Sequence, residues 1–267
     1  MKRNFILTLI LVMSIFAMHA QDSLDSIARV HITVQVDELT VEQFANFITG
    51  EYVWCPKLQK MADEGNPAAL HAVGCCYRSG SGCKKDEFEA FEYFSLAAEA
   101  GNHKALNNLG NCYEHGIGIE KDLHQAYLFY KKAALKGHEV AMSNLGQCYM
   151  RGMGTEVDYQ KARAWFEKTA NSRGDRVAIV NTGFLYFQIG DDYAKAFKYL
   201  TKGAEMGSPG ATEWLAMCYG YGLGCEQDLP KAIGLLNKVL NMSERIKIPG
   251  EYDFIREKIT EFEQAIK

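Results

Sequence analysis

The residues in this chain best equipped for chemistry are cysteines, and they cluster at its two ends. His71 and Cys75 stand four residues apart, on one face of any helix, and could hold a metal with Cys76 or Cys83. No Cys-x-x-Cys pair, no His-Glu-x-x-His and no second ligand cluster accompanies them, so no metal and no cofactor is expected. Cys76 and Cys83 are seven residues apart, as are Cys218 and Cys225, and Cys83 and Cys225 each follow the second Gly of a Gly-x-Gly turn. The two turns without a cysteine there carry Ile119 and Thr155. That co-occurrence points to local disulfides Cys76–Cys83 and Cys218–Cys225, with Cys55–Cys75 as a looser third pair, although spacing cannot prove connectivity. For Cys112 and Cys148 the simpler reading is a buried packing residue.

Nucleophilic and phosphate chemistry find little support. Gly80-Ser81-Gly82 is a turn rather than a strained Gly-x-Ser-x-Gly nucleophile motif. The double-Gly loops lack the Lys-Ser/Thr of a phosphate loop and lie between helices rather than after a strand.

The elements that must position these residues are set by a repeat. Gly74, Gly110 and Gly146 are 36 residues apart, as are Tyr77, Tyr113 and Tyr149, and as are Asp86, Asp122 and Asp158. A fixed period of this length means stacked supersecondary units, each unable to bury its apolar face alone. Within a unit, Ala105, Leu109, Gly110 and Tyr113 fall at helical spacing, a Gly-x-Gly turn follows, and an Asp opens a second helix whose packing face is Ala126, Tyr130, Ala133 and Ala134. Gly inside the first helix costs about 1 kcal/mol relative to Ala, so close helix approach is expected there. The fold class is therefore all-α, a solenoid of about five helix pairs over residues 67–241. A fourth unit is shortened between Tyr186 and Ala196, and a fifth restores Gly222, Gly224 and Asp228.

The run Ala105-Leu-Asn-Asn-Leu-Gly110-Asn-Cys-Tyr113-Glu-His-Gly116-Ile-Gly118, followed by Asp122, Gln125-Ala126, Tyr130-Lys-Lys-Ala-Ala134 and Gly137, resembles the Sel-one-like repeat family, the 36-residue relatives of tetratricopeptide repeats. The resemblance implies a right-handed α/α superhelix used as a protein-interaction scaffold. Some exported bacterial relatives are cysteine-rich with bridged helices, at positions that do not coincide with Cys83 or Cys225. Those relatives make a cell-envelope, peptidoglycan-linked hydrolase or glycan-binding protein the alternative function. Its carboxylates would have to be Glu114 and Glu213, which lie too many units apart to be a good acid/base pair.

In this class the first helices line the concave surface. Positions repeating at i, i+4 and i+7 put Asn107, Asn111 and Glu114, then Gln147 and Met150, then Val180, Phe184 and Phe187, then Glu213 and Met217 on that face. It is amide-rich early and apolar late, and aromatic or Met side chains in a groove are typical anchors. The expectation is a peptide or protein segment with its apolar anchor on Phe184 and Phe187 and its backbone held by Asn107, Asn111 and Gln147. The alternative is that these two Phe fill a core left short by Thr182.

The ends differ from the array. Lys2 and Arg3 precede an apolar run ending at Ala20 and a polar Gln21-Asp22-Ser23, the pattern of a signal peptide, so an exported protein of periplasm or cell exterior with no membrane insertion after cleavage is expected. Without residues 1–20 the chain has 27 basic and 33 acidic residues, a net charge of −6, which disfavours nucleic acid. Residues 21–39 alternate Val30, Ile32, Val34 and Val36 with polar residues, an extended pattern. Residues 40–66 form a degenerate opening unit with a capping box at Thr40 and Gln43. Residues 242–267 give a capping helix with Ile255, Ile259, Phe262 and Ile266 on one face. The partner's identity and the oligomeric state are not encoded in these patterns.

Overall fold

The computed structural model describes residues 52–243 and 252–267. The signal-peptide pattern, the extended segment, the first helix of the opening unit and the Pro249-Gly250 break lie outside the described residues. Every regular element among those described is a helix: α1 Pro56–Asp63, α2 Pro67–Ser79, α3 Glu87–Glu99, α4 His103–His115, α5 Leu123–Leu135, α6 Glu139–Arg151, α7 Tyr159–Arg173, α8 Arg176–Ile189, α9 Tyr193–Glu205, α10 Pro209–Tyr221, α11 Leu229–Ser243 and α12 Asp253–Ile266. Each packs mainly on the helices before and after it in sequence, so α2 to α11 are five stacked pairs, α1 is the remaining helix of an opening unit and α12 closes the end.

The first three pairs are each held by a ring seated on a glycine. A Cβ at Gly74 would lie 2.7 Å from the Phe94 ring, at Gly110 2.6 Å from Tyr130, and at Gly146 2.9 Å from Phe166. The rings are fully buried, so the missing side chain is what lets the two helices close on them. In the fourth pair Gly183 faces Leu200, and in the fifth Ala216 and Leu236 are fully buried in one cluster. A branched aliphatic side chain is shorter than a ring, and in the fifth pair it accommodates the Ala216 methyl, whereas a Cβ at Gly183 would still lie 2.9 Å from Leu200.

The seven-residue turns do two jobs. Gly80 ends α2 in the left-handed region, φ 76°, where L side chains are strained and Gly is not. Asp86 then caps α3, accepting from Phe88 N and Glu89 N at 3.0 and 3.1 Å while its own N–H donates to Tyr77 O at 2.9 Å. Asp122 repeats this arrangement. The second turn glycine lies against the backbone that starts the previous unit's second helix: Gly118 on Glu87 and Phe88, Gly154 on Leu123 and His124, Gly224 on Tyr193 and Ala194. In the first unit Gly82 lies on Trp54 instead, and Trp54 N donates to Ser81 O at 3.0 Å. The short turn of the fourth pair, residues 190–192, has no such second glycine. There Arg163 Nη1 reaches Asp191 Oδ2 at 2.6 Å across the unit boundary.

The ring-on-glycine contact sets an expectation for stability. Gly146→Ala should lower the free energy of unfolding in urea by about 1–3 kcal/mol, overpacking outweighing Ala's better helix propensity. Adding Phe166→Leu should make the double variant less destabilised than the sum of the singles, because Ala over Leu is the combination the fifth pair uses. Additive effects would show that the ring does not seat on the glycine.

Candidate functional site

First helices meet directly across unit boundaries through side-chain amides. Asn108 Nδ2 donates to His71 Nε2 at 2.9 Å, and Asn144 Nδ2 donates to Asn107 Oδ1 at 3.1 Å. Asn181 holds the same helix position in the fourth unit, but its buried Nδ2 has no partner among the described residues, and neither has the buried Oε1 of Gln147. The two hold matching positions on adjacent first helices, since Asn108, the counterpart of Asn181, reaches Cys75, the counterpart of Gln147, at 3.9 Å. The amide ladder therefore stops between the third and fourth units. Asn108, Asn144 and Asn181 were not singled out from sequence; their signal is the Asn two residues before Gly110, Gly146 and Gly183.

Beyond the break the face becomes aromatic. Phe184 and Phe187 are half-buried and both meet Trp214, with ring centroids 5.3 and 5.0 Å apart. Thr182 is buried and donates its hydroxyl to Ala178 O at 2.7 Å, and the interior of the fourth pair is supplied by Ile179, Leu185 and Leu200. The two Phe thus stand at the margin of the core, neither filling it nor fully exposed. Trp214, which completes the cluster, occupies the position held by Asn in the three preceding units.

Other expected residues are committed elsewhere. Tyr130 donates its hydroxyl to Glu114 Oε2 at 2.6 Å, and the Asn111 amide also reaches that hydroxyl. Phe94 and Phe166 need no such partners, so Asn111 and Glu114 answer the one ring that carries an oxygen. Glu114 and Glu213 remain in the second and fifth units, with no acid/base pairing. Val180 packs toward Gly203, and Met150 packs on the core beneath the third unit. Met217 is a correction: at 3 % exposure it lies in a core cluster with Ile255 and Phe262 of α12, which covers it. Glu213 is half-buried and has no hydrogen bond or ion pair among the described residues.

The reactive pair at the start of the array is quiet. His71 Nε2 lies 3.8 Å from Cys75 Sγ and accepts from Asn108, which places the ring proton on Nδ1. Burial, helped by Lys104 and Arg78, lowers the His71 pKa to about 4, and burial raises the Cys75 thiol to about 11. Both are neutral near pH 7, so no thiolate–imidazolium pair forms. Among the described residues no group of three His, Cys, Asp or Glu is placed to hold a metal. All eight cysteines are free thiols here. Cys225 packs against the cluster containing buried Cys218, and Cys83 lies near enough to buried Cys76 for the two thiols to influence one another.

The Sel1 repeat family model matches residues 67–102, 103–138, 140–172, 178–208 and 209–238. The chain belongs to the Sel1 repeat family. It is similar to a Sel1 repeat protein from Oxalobacter formigenes, at 29 % identity and TM-score 0.62 over 79 % of this chain and 91 % of that one. A protective antigen of uropathogenic Escherichia coli with an SLR fold matches at 22 % identity and TM-score 0.54 over 78 % of this chain and 55 % of that one. PilF of Pseudomonas aeruginosa matches at 19 % and TM-score 0.54 over 79 % and 87 %. At these identities the last two show the fold alone. No curated protein matches the chain. No described helix is long and apolar enough to cross a membrane.

A buried neutral His71 makes stability depend on pH. Its folded pKa lies below the unfolded value near 6.5, so its contribution is complete above pH 6.5 and is lost as pH falls toward 4, by up to about 3 kcal/mol. Thermal unfolding should show a melting temperature that drops between pH 6.5 and 4, with a shallower drop in His71→Gln. Equal slopes would remove His71 from this role.

Proposed function

We propose that this Sel1 repeat protein is an exported scaffold that binds an extended segment of a protein partner along the face of its first helices, at the third to fifth units. The observation that carries the reading is the break in the amide ladder. Gln147 and Asn181 keep a buried acceptor and a buried donor unpaired beside the Phe184–Trp214–Phe187 cluster. An unpaired buried polar group costs about 1–3 kcal/mol, and an extended backbone offers both an N–H and a C=O to such groups. Half-buried aromatics next to them supply the apolar anchor.

The test separates binding from stability. Asn181→Leu removes an orphan donor and should leave the melting temperature unchanged or higher. With a photo-reactive phenylalanine analogue at position 184, the protein in its own cells should crosslink to a discrete polypeptide, and Asn181→Leu should weaken that product several-fold. The same analogue at Tyr159, exposed at the start of α7, should give none. Equal products from both positions, or no effect of Asn181→Leu, would remove the site.

Export rests on the pattern of residues 1–20, and with it goes oxidation of Cys76 with Cys83 and Cys218 with Cys225. The buried thiols of Cys76 and Cys218 are pushed up to about 12 by burial, so the half-exposed loop cysteines would meet an external disulfide first. The buried partner then displaces the second thiol. Each closed loop would stabilise the fold by about 2–3 kcal/mol. Peptide mapping of protein alkylated without reductant should find both linked pairs and no precursor N-terminus. Eight alkylated thiols on a full-length chain would overturn both statements.

A further inference from the structure

The face formed by the first helices carries opposite charges at its two ends, and neither is answered within the described structure. At the first-unit end, Lys104 and Arg78 lie close enough to His71 for their charge to act on its ring. The Arg78 guanidinium touches Asn108 Oδ1 at 3.5 Å and lies 5.7 Å from the Phe94 ring centre, with no carboxylate partner. At the fifth-unit end Glu213 is half-buried without a hydrogen bond or ion pair among the described residues, and burial pushes its carboxyl up.

Packed helices are roughly 8–10 Å apart, and charges further apart than about one Debye length of 8–10 Å are largely screened. Four unit boundaries separate Arg78 from Glu213, so the two cannot neutralise each other. A half-desolvated carboxylate without a partner is costly unless a cation is brought to it. Glu114, the other acid on this face, is taken by Tyr130, which leaves Glu213 as the acid available to a ligand. It immediately precedes Trp214 on α10, so a cation bound there lies one residue along the helix from the aromatic anchor.

We infer that the occupant is a peptide segment of mixed charge, with a basic side chain paired to Glu213, an apolar side chain against Phe184 and Trp214, and an acidic side chain at the Arg78 end. The inference rests on the groove reading above, extends its occupant from the third unit back to the first, and adds the charge of the partner. Lone basic or lone acidic peptides would satisfy only one end.

The experiment is selection of phage-displayed random 16-residue peptides on the purified chain, repeated on Glu213→Lys, Arg78→Glu and Phe184→Ala. Wild type should enrich peptides with Lys or Arg beside an apolar residue and Asp or Glu farther along. Glu213→Lys should exchange the basic position for an acidic one and leave the rest of the motif, Arg78→Glu should do the converse at the other end, and Phe184→Ala should abolish enrichment. The isosteric Glu213→Gln, which keeps the fold's shape, should weaken a selected synthetic peptide about tenfold. Enrichment that Phe184→Ala abolishes, but whose basic residue survives Glu213→Lys, overturns the charge assignment alone. No enrichment, or enrichment indifferent to Phe184→Ala, overturns the groove reading and the charge assignment with it.

Discussion

A ring pressed onto a glycine is the contact on which the rest of this molecule depends. It sets how closely the two helices of a pair approach, and that approach decides which side chains of the first helix point at its partner and which are left to face its neighbours. Where the ring is Phe94 or Phe166 the contact is complete in itself. Where it is Tyr130 the same geometry brings a hydroxyl into the core, and the first helix must supply Glu114 and Asn111 to satisfy it. A choice made for packing thus commits two polar residues of the first-helix face to the core.

The array is joined from unit to unit by two further devices. The second turn glycine lets each turn lie on the backbone of the unit before it, and the Asn two residues before the repeated glycine bonds sideways to the preceding first helix. Both fail or change in the fourth unit: its turn is short, and the Asn181 amide nitrogen has no partner among the described residues. Natural structures leave few buried polar groups unpaired, and where they do, ligand contact is a common reason. The same unit introduces Phe184 and Phe187 where amides stood before, so lost self-satisfaction and gained apolar surface coincide.

The ends of the array are handled differently. At the start, Trp54 backbone replaces a second helix under Gly82, and Cys55 caps α1, accepting from Leu58 N at 3.4 Å. At the finish α12 takes the place of a further unit: Phe262 sits over Gly220, and Met217 is closed in. A solenoid must end its core somewhere, and here it does so by burying a position that would be groove in any interior unit.

The period, the two-helix unit, the cap residues and the need for glycine at helix contacts were all legible in the sequence. They are local or recur at a fixed spacing, so five copies of one pattern report the same physical constraint. Asn107, Gln147, Phe184 and Phe187 could be placed on one face for the same reason. What only the tertiary structure decided depends on which distant side chain completes each contact. Tyr130 claims Glu114 from the next helix, α12 covers Met217 from beyond the array, Trp214 gathers both Phe, and Asn181 is left without the partner its counterparts have. Helical spacing specifies the direction of a side chain; its partner is set by the packing of other helices, and no repeat in the chain encodes that.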